Sequence, residues 1–199
     1  MACDVNYDGI DIINVNEDIM QRPIDALERT QTLLAGCGIR LTDVEKQEIE
    51  LTDFGLADYP RSGLQLLTYI NTPRYCAKEL VLFPHQTCPE HLHPPFDDTP
   101  GKQETFRCRW GEVYLFVDDD ALTLNTERGT PACQPPAGFE QWYTCQRYIL
   151  LRAGEQYTIK PNTRHWFQAG KLGAVVSEFS SQSRDDLDVF TDPNVRRVG

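Results

Sequence analysis

From about residue 17 to Gly38, the apolar positions Met20, Ile24, Leu27 and Leu34 fall mostly at helical spacing, and Gly36 and Gly38 supply a stop. Residues 1 to about 16 show no such period. Pro23 suits a first helical turn and would kink an interior, so it bears on where the helix starts. Thr42-Asp43-Val44-Glu45 predicts a second, short helix, because it is a capping-box sequence in which two side chains satisfy free backbone N–H groups. After Gly55 the pattern changes to short apolar or alternating runs at 64–72, 76–83, 105–110, 112–117, 121–125, 148–152, 156–160, 166–168 and 174–179. Many short strands at such spacing predict a mostly β sandwich or barrel, with the helices packed on its outside. The stretch 126–140, rich in Gly, Pro and polar residues, reads as a long loop bordering or covering a site. The expected organisation is one structural domain, with an N-terminal helical extension over 1–55 and a barrel over 56–199.

Composition narrows this picture. A chain of 199 residues, 40% hydrophobic, supports one domain with a substantial core. With 30 acidic residues against 19 basic ones, the net charge of −11 repels a phosphate backbone and argues against a nucleic-acid partner. No apolar run is long enough to span a membrane, and Met1-Ala2-Cys3-Asp4-Val5-Asn6 lacks a basic segment followed by an apolar one, so a soluble, cytoplasmic protein is expected. Seven scattered cysteines without a C-x2-C pair read as free thiols of a reducing compartment. Cys88 and Cys108 lie near the candidate site described next, where small buried hydrophobes are the favoured reading.

The chemistry is concentrated in Pro89-Glu90-His91-Leu92-His93-Pro94-Pro95. On an extended strand His91 and His93 project to one face, and a carboxylate from a neighbouring strand, Glu104, is placed to complete it. Histidines at i, i+2 in a Pro-rich turn are also often merely solvated, so the pair alone is ambiguous. Glu104 to Gly111 reads E-x6-G and leads into an apolar strand at 113–117; with His-x-His it resembles the first motif of the cupin superfamily. Ten residues separate His93 from Glu104 where cupins usually have only a few, and the inserted 94–101 is expected to form an extended hairpin loop that leaves the ligands in place. The segment 152–167 resembles the second cupin motif and contributes His165. It lacks the usual turn glycine, but Asn162 tolerates positive φ. Three imidazoles and a carboxylate suit a divalent first-row metal such as manganese, iron, nickel or zinc, with positions left open for a substrate. Of the four histidines only His85 is then unassigned.

Three further residues are candidates for chemistry. Lys102, two residues before Glu104, points to the same side on a strand, unless it is a hairpin lysine reaching water. Lys78 shares a face with Leu80 and Leu82, and a lysine directed into a barrel is costly unless it forms an ion pair or serves a function. Glu178 shares a face with Val176 and Ser180 and reads as a general base or as the partner of a lysine.

Gln86-Thr87-Cys88-Pro89-Glu90-His91-Leu92-His93-Pro94-Pro95 and Gly101-Lys102-Gln103-Glu104-Thr105-Phe106-Arg107-Cys108-Arg109-Trp110-Gly111 resemble the D-lyxose isomerase family of cupin-fold sugar isomerases. The tail, with Ser177-Glu178-Phe179-Ser180-Ser181 and Arg184-Asp185-Asp186-Leu187-Asp188-Val189-Phe190-Thr191-Asp192-Pro193, is similar too, and the resemblance spans about 65–197. His85 occupies a place where glycine is expected. The resemblance implies a cupin (double-stranded β-helix, or jelly-roll) barrel that interconverts D-lyxose with D-xylulose, and D-mannose with D-fructose. It implies a divalent metal, manganese foremost with iron, cobalt, nickel or zinc compatible, held by His91, His93, Glu104 and His165. Glu178 would then carry a proton between C1 and C2 while Lys78 or Lys102 assists between the oxygens, although a hydride shift fits the same residues. The rival readings are an iron-dependent cupin dioxygenase and a non-enzymatic sugar-binding cupin. The expected partner is a small sugar, and cupin barrels commonly pair into homodimers. Trp110, Tyr114 and Trp166 are candidates to stack on the sugar, although aromatics on strands are more often core. Asp185, Asp186 and Asp188 either reach hydroxyls or a neighbouring subunit, or form a solvated run. Arg107 and Arg109 fall on the face away from Glu104.

Overall fold

The computed structural model describes residues 23–124 and 133–197, so the expectations for 1–22, for residue 125 of the 121–125 run and for 126–132 of the long loop lie outside the described residues. Two helices, α1 (Pro23–Gly36) and α2 (Asp43–Gln47), precede the strands β1 (Glu50–Thr52), β2 (Leu64–Asn71), β3 (Cys76–Leu82), β4 (Thr87–Leu92) and β5 (Glu104–Val117). There follow β6 (Thr123–Leu124), β7 (Arg147–Arg152), β8 (Gln156–Ile159), β9 (His165–Ser180) and β10 (Val189–Phe190). Thr42 and Glu45 form the capping box that starts α2. Along α1, Ala26, Thr30 and Leu34 are buried at helical spacing. Ala26 and Leu34 pack on Val81, Phe83 and Val175, the outer face of β3 and β9, and Arg29 lies 4.2 Å over the Phe83 ring.

The sheet is built on two long antiparallel strands, β5 and β9, which pair along their whole length. Beyond β9 lie β3, β2 and β1; β5 also pairs with β7 and β8, and β9 with β4. The curled sheet closes around one core of Leu66, Leu80, Cys108, Leu115, Phe167 and Val176. Phe54, beyond β1, is 1% exposed and belongs to that core.

Two pairs of separate predicted runs, 105–110 with 112–117 and 166–168 with 174–179, are single strands. The intervening glycines bend β5 and β9 without ending them. Gly111 has φ 71°, and a Cβ on it would stand 2.1 Å from the Gly173 carbonyl oxygen, so the two strands bend against each other where only glycine fits. The pairing register shifts at Cys108/Trp110 and again at Gly111/Val113. The shift changes which side chains point inward: Phe106 and Cys108 before the bend of β5, Val113 and Leu115 after it. In β9, Phe167 and Ala169 point inward before the bend, and Ala174 and Val176 after it. His165 and Glu178 are separated by 13 positions (178 − 165), which would put them on opposite faces of an unbent strand. The bend turns both toward Glu104 and Lys102, His165 meeting Glu104 and Glu178 meeting Lys102.

His85 has φ 61°, the left-handed backbone that accounts for an expected glycine there. Asn162 has φ 54°, so it replaces the turn glycine of the motif before His165. All six described cysteines are free, with Cys88 and Cys108 buried. No described helix is long and apolar enough to cross a membrane.

Candidate metal centre

The barrel interior holds a cavity of about 40 Å³. Apolar walls come from Leu64, Leu66, Leu80, Phe106 and Phe167, and Phe54 and Phe190 close the side nearest the chain end. Into it project His91, His93, Glu104, Lys102, Glu178 and Lys78.

β4 and β9 pair so that His91 stands opposite His165. His93 follows β4 by one residue. The inserted loop returns to it at Gly101, where a Cβ would lie 2.4 Å from the His93 carbonyl oxygen. The insertion therefore folds back on itself, and Glu104 Oε1 reaches 3.2 Å from His93 Nε2 and 2.9 Å from His165 Nε2. The three histidines each offer a ring nitrogen within 4.8 Å of the others.

The hydrogen bonds determine which nitrogens are bare. His91 Nδ1 donates to the Pro89 carbonyl at 2.8 Å and His165 Nδ1 to the Thr163 carbonyl at 2.9 Å. A carbonyl only accepts, so the proton of each neutral ring sits on Nδ1 and the Nε2 lone pair faces inward. His165 Nε2 is buried without a hydrogen bond, its lone pair facing a carboxylate oxygen. Such an arrangement is repulsive unless a cation or proton lies between the two, and outward Nδ1–H bonds are how ligating histidines are oriented. His93 Nδ1 meets Asp188 Oδ1 at 2.5 Å, the carboxylate form of the same support. The donor set therefore fits a divalent cation.

The charges agree. Burial, followed by His165 and His93, pushes the His91 pKa well below its usual value, keeping the ring neutral. Burial opposes charge on His93, yet Glu104 and Asp188 outweigh it and raise its pKa to about 9. Burial also works against the Glu104 carboxylate, but Lys102, His93 and His165 hold its pKa well below the usual range. The cage is thus anionic at Glu104 and has a cationic proton at His93 that a metal would displace.

Lys102 is 5% exposed; its Nζ bridges Glu104 Oε2 at 2.9 Å and Glu178 Oε1 at 2.5 Å. Burial disfavours its charge, but Glu104 and Glu178 keep its pKa well above the ordinary lysine value. Glu178 also accepts from Ser180 Oγ at 3.1 Å. Lys78 stands opposite Glu178 in the β3–β9 register, but its ammonium is committed elsewhere, to Asp185 at 2.7 Å and Ser183 Oγ at 3.0 Å. Asp185 also pairs with Arg197 at 3.1 Å, and Arg197 with Glu50 at 3.3 Å.

The structure thus brings together His91, His93, Glu104, His165, Lys102 and Glu178, with Lys78 at the cavity wall. Trp110, Tyr114 and Trp166 are not among the lining residues. Trp166 stacks on Phe116 with centroids 3.9 Å apart and donates Nε1–H to the Cys145 carbonyl; Tyr114 packs in the same outer cluster and Trp110 against the helix-side cluster. Sequence reasoning missed Phe54, Phe190 and Arg197, which sit on short segments without periodicity. Of the acidic run, Asp185 and Asp188 face the cavity, whereas Asp186 is at the surface beside Arg184. Arg107 lies outside, bonded to Gln156.

Residues 43–198 match the family model described as D-lyxose isomerase. A D-lyxose/D-mannose isomerase of Thermosediminibacter oceani is 58% identical over 171 residues, 86% of this chain and 91% of that protein. A D-lyxose ketol-isomerase of Cohnella laeviribosi is 55% identical over 174 residues, 87% of this chain and 92% of that protein. Among solved structures, the ligand-free L-ribose isomerase of Cellulomonas parahominis superposes with TM-score 0.69 at 19% identity, covering 92% of this chain and 95% of that one. The L-ribose isomerase of Acinetobacter sp. DL28 in complex with L-ribose gives 0.68 at 16% identity, covering 91% and 94%. These two likenesses concern the fold, a cupin-like barrel.

Proposed function

The chain belongs to the D-lyxose isomerase family, and from that footing we propose that it is a metal-dependent aldose–ketose isomerase interconverting D-lyxose with D-xylulose and D-mannose with D-fructose. The observation that carries the reading is the pairing, in one cavity, of inward-facing imidazole lone pairs with the Lys102–Glu178 contact. A dioxygenase or a binding cupin has no need of that positioned proton-transfer pair.

His91, His93, Glu104 and His165 would hold the ion, manganese foremost, which when bound supplies Lewis-acid polarisation of a sugar oxygen. Glu178 takes the proton from C2 of the aldose and returns it to C1 of the ketose. Lys102, between Glu178 and Glu104, moves the matching proton from O2 to O1. Asp188 orients His93, and Lys78 holds Asp185 in the cavity wall. The expected setting is the cytoplasm and the expected assembly a homodimer; Ile70 and Phe179, exposed in register on either side of Ala77, are apolar surface for a second copy to cover.

Incubation of the manganese-loaded protein with D-lyxose in D2O is expected to yield D-xylulose carrying deuterium at C1, and none after chelation. Ketose without deuterium, with Glu178→Gln turning over like wild type, would replace proton transfer by a hydride shift. Failure to form ketose in either state would refute the isomerase reading.

A further inference from the structure

We infer that Glu90 is a positioning residue: a buried carboxylate latch behind the candidate metal cage that sets His91 and His165 and fixes the tail segment carrying Asp188. The inference rests on the proposed metal site but is drawn from the opposite face of β4.

The β4–β9 ladder pairs Thr87 with Gln168 and Cys88 with Phe167, then slips before His91 meets His165. The slip falls on Pro89, which has no N–H to give, and on Glu90. Backbone pairing is therefore interrupted immediately beside the first candidate ligand, and β10 covers β4 by only two register pairs, Val189↔Leu92 and Phe190↔His91. Beyond those pairs the backbone adds one bond, from Thr191 N–H to the Glu90 carbonyl at 2.9 Å, and side chains supply the rest of the hold.

Strand alternation turns Glu90 away from the cage as His91 turns into it. Its side chain is 0% exposed, and both oxygens are satisfied. Oε2 accepts the backbone N–H of Thr144 at 2.6 Å and of Cys145 at 2.8 Å. Oε1 accepts the hydroxyls of Thr144 at 2.8 Å and Thr191 at 2.7 Å. The nearest cation, Arg164 Nη1, stands 3.8 Å off, and the same nitrogen donates to Thr191 Oγ1 at 2.6 Å.

These donors come from three separate segments. Arg164 adjoins His165; Thr191 adjoins Phe190 and lies three positions beyond Asp188; the 144–145 turn receives Trp166 Nε1–H at the Cys145 carbonyl, 3.0 Å away. A buried carboxylate whose one cation stands 3.8 Å off and does not hydrogen-bond it depends on its acceptor positions being filled, so loosening one arm strains the others. Glu90 thus ties the strand of His91, the approach to His165 and the support of His93 at one point.

The test compares wild type with E90A, E90Q and T191V by Mn²⁺ titration followed by electron paramagnetic resonance, and by hydrogen exchange of the metal-free proteins. Loss of an outer-shell orienting group costs about 10- to 100-fold in metal affinity, the range expected for E90A. Exchange should quicken at 143–145, 164–166 and 189–191. E90Q should stay within about threefold of wild type, since its carbonyl still takes the two N–H groups and both hydroxyls can turn to accept from its amide. This rescue separates hydrogen-bonded positioning from a need for charge. T191V, which cuts only the tail arm, should weaken Mn²⁺ binding by about 3- to 10-fold and loosen 189–191 alone, and it decides the matter if E90A does not fold. E90A or T191V binding Mn²⁺ like wild type, or E90Q falling as far as E90A, would overturn the latch. Absence of Mn²⁺ binding by wild type would refute the metal reading; the latch would then stand or fall on exchange, and unchanged exchange in E90A would end it.

Discussion

Glu178→Gln is expected to lower kcat for D-lyxose by about 10²- to 10⁴-fold, the range assigned to a positioned general acid or base, while metal content stays at the wild-type level. The amide has the shape of the carboxylate and its oxygen can still accept from Lys102 and Ser180, but it cannot take a proton from carbon. Lys102 retains its contact with Glu104 at 2.9 Å, so the buried ammonium is not left without an anion. The polar contacts of Glu178 are with Lys102 and Ser180 rather than with the three imidazoles, which is why loss of turnover and loss of metal should separate. Solvent exchange of the C2 proton, read by NMR beside elemental analysis of the protein, checks both. Exchange at the wild-type rate in the variant would remove Glu178 from the proposed role.

His165→Ala is expected to abolish turnover by the other route. His165 is fully buried, and its Nε2 is buried without a hydrogen bond. A cation supplies its only favourable partner, so its removal should weaken manganese binding by more than the roughly 10- to 100-fold that outer-shell losses cost. The Thr163 carbonyl loses its Nδ1–H donor as well, which loosens the turn entering β9. Titration of free Mn²⁺ together with turnover in its presence reads the effect. Wild-type affinity in the variant would show that the cage does not depend on this residue.

Much of this site is legible in the chain because its parts obey local rules. Alternation alone puts His91 with His93 and Lys102 with Glu104, and the short β runs announce a barrel. The E-x6-G spacing ends at Gly111, the residue around which β5 bends. The union of His165 with Glu178 is not local: their odd separation contradicts a shared face, and only the mutual bend of β5 and β9 at Gly111 and Gly173 restores it. Lys78 shows the same limit. Its inward direction follows from Leu80 and Leu82, but its partner Asp185 lies 107 positions away. Asp188 belongs to an acidic run that reads as solvated, and nothing in the run distinguishes the residue that meets His93 from Asp186 at the surface. Phe54, Phe190 and Arg197 come from segments too short to carry a period, so the closing side of the cavity is a product of topology. Glu90 is hidden for another reason: it stands between a proline and a histidine that dominate the motif, on the face a reader of ligands ignores.

The most direct measurement is anomalous X-ray scattering at the manganese edge from crystals of the metal-loaded protein. The account predicts one strong peak inside the barrel, bonded to His91, His93, Glu104 and His165. No peak there, or a peak with His165 turned away from it, would contradict it.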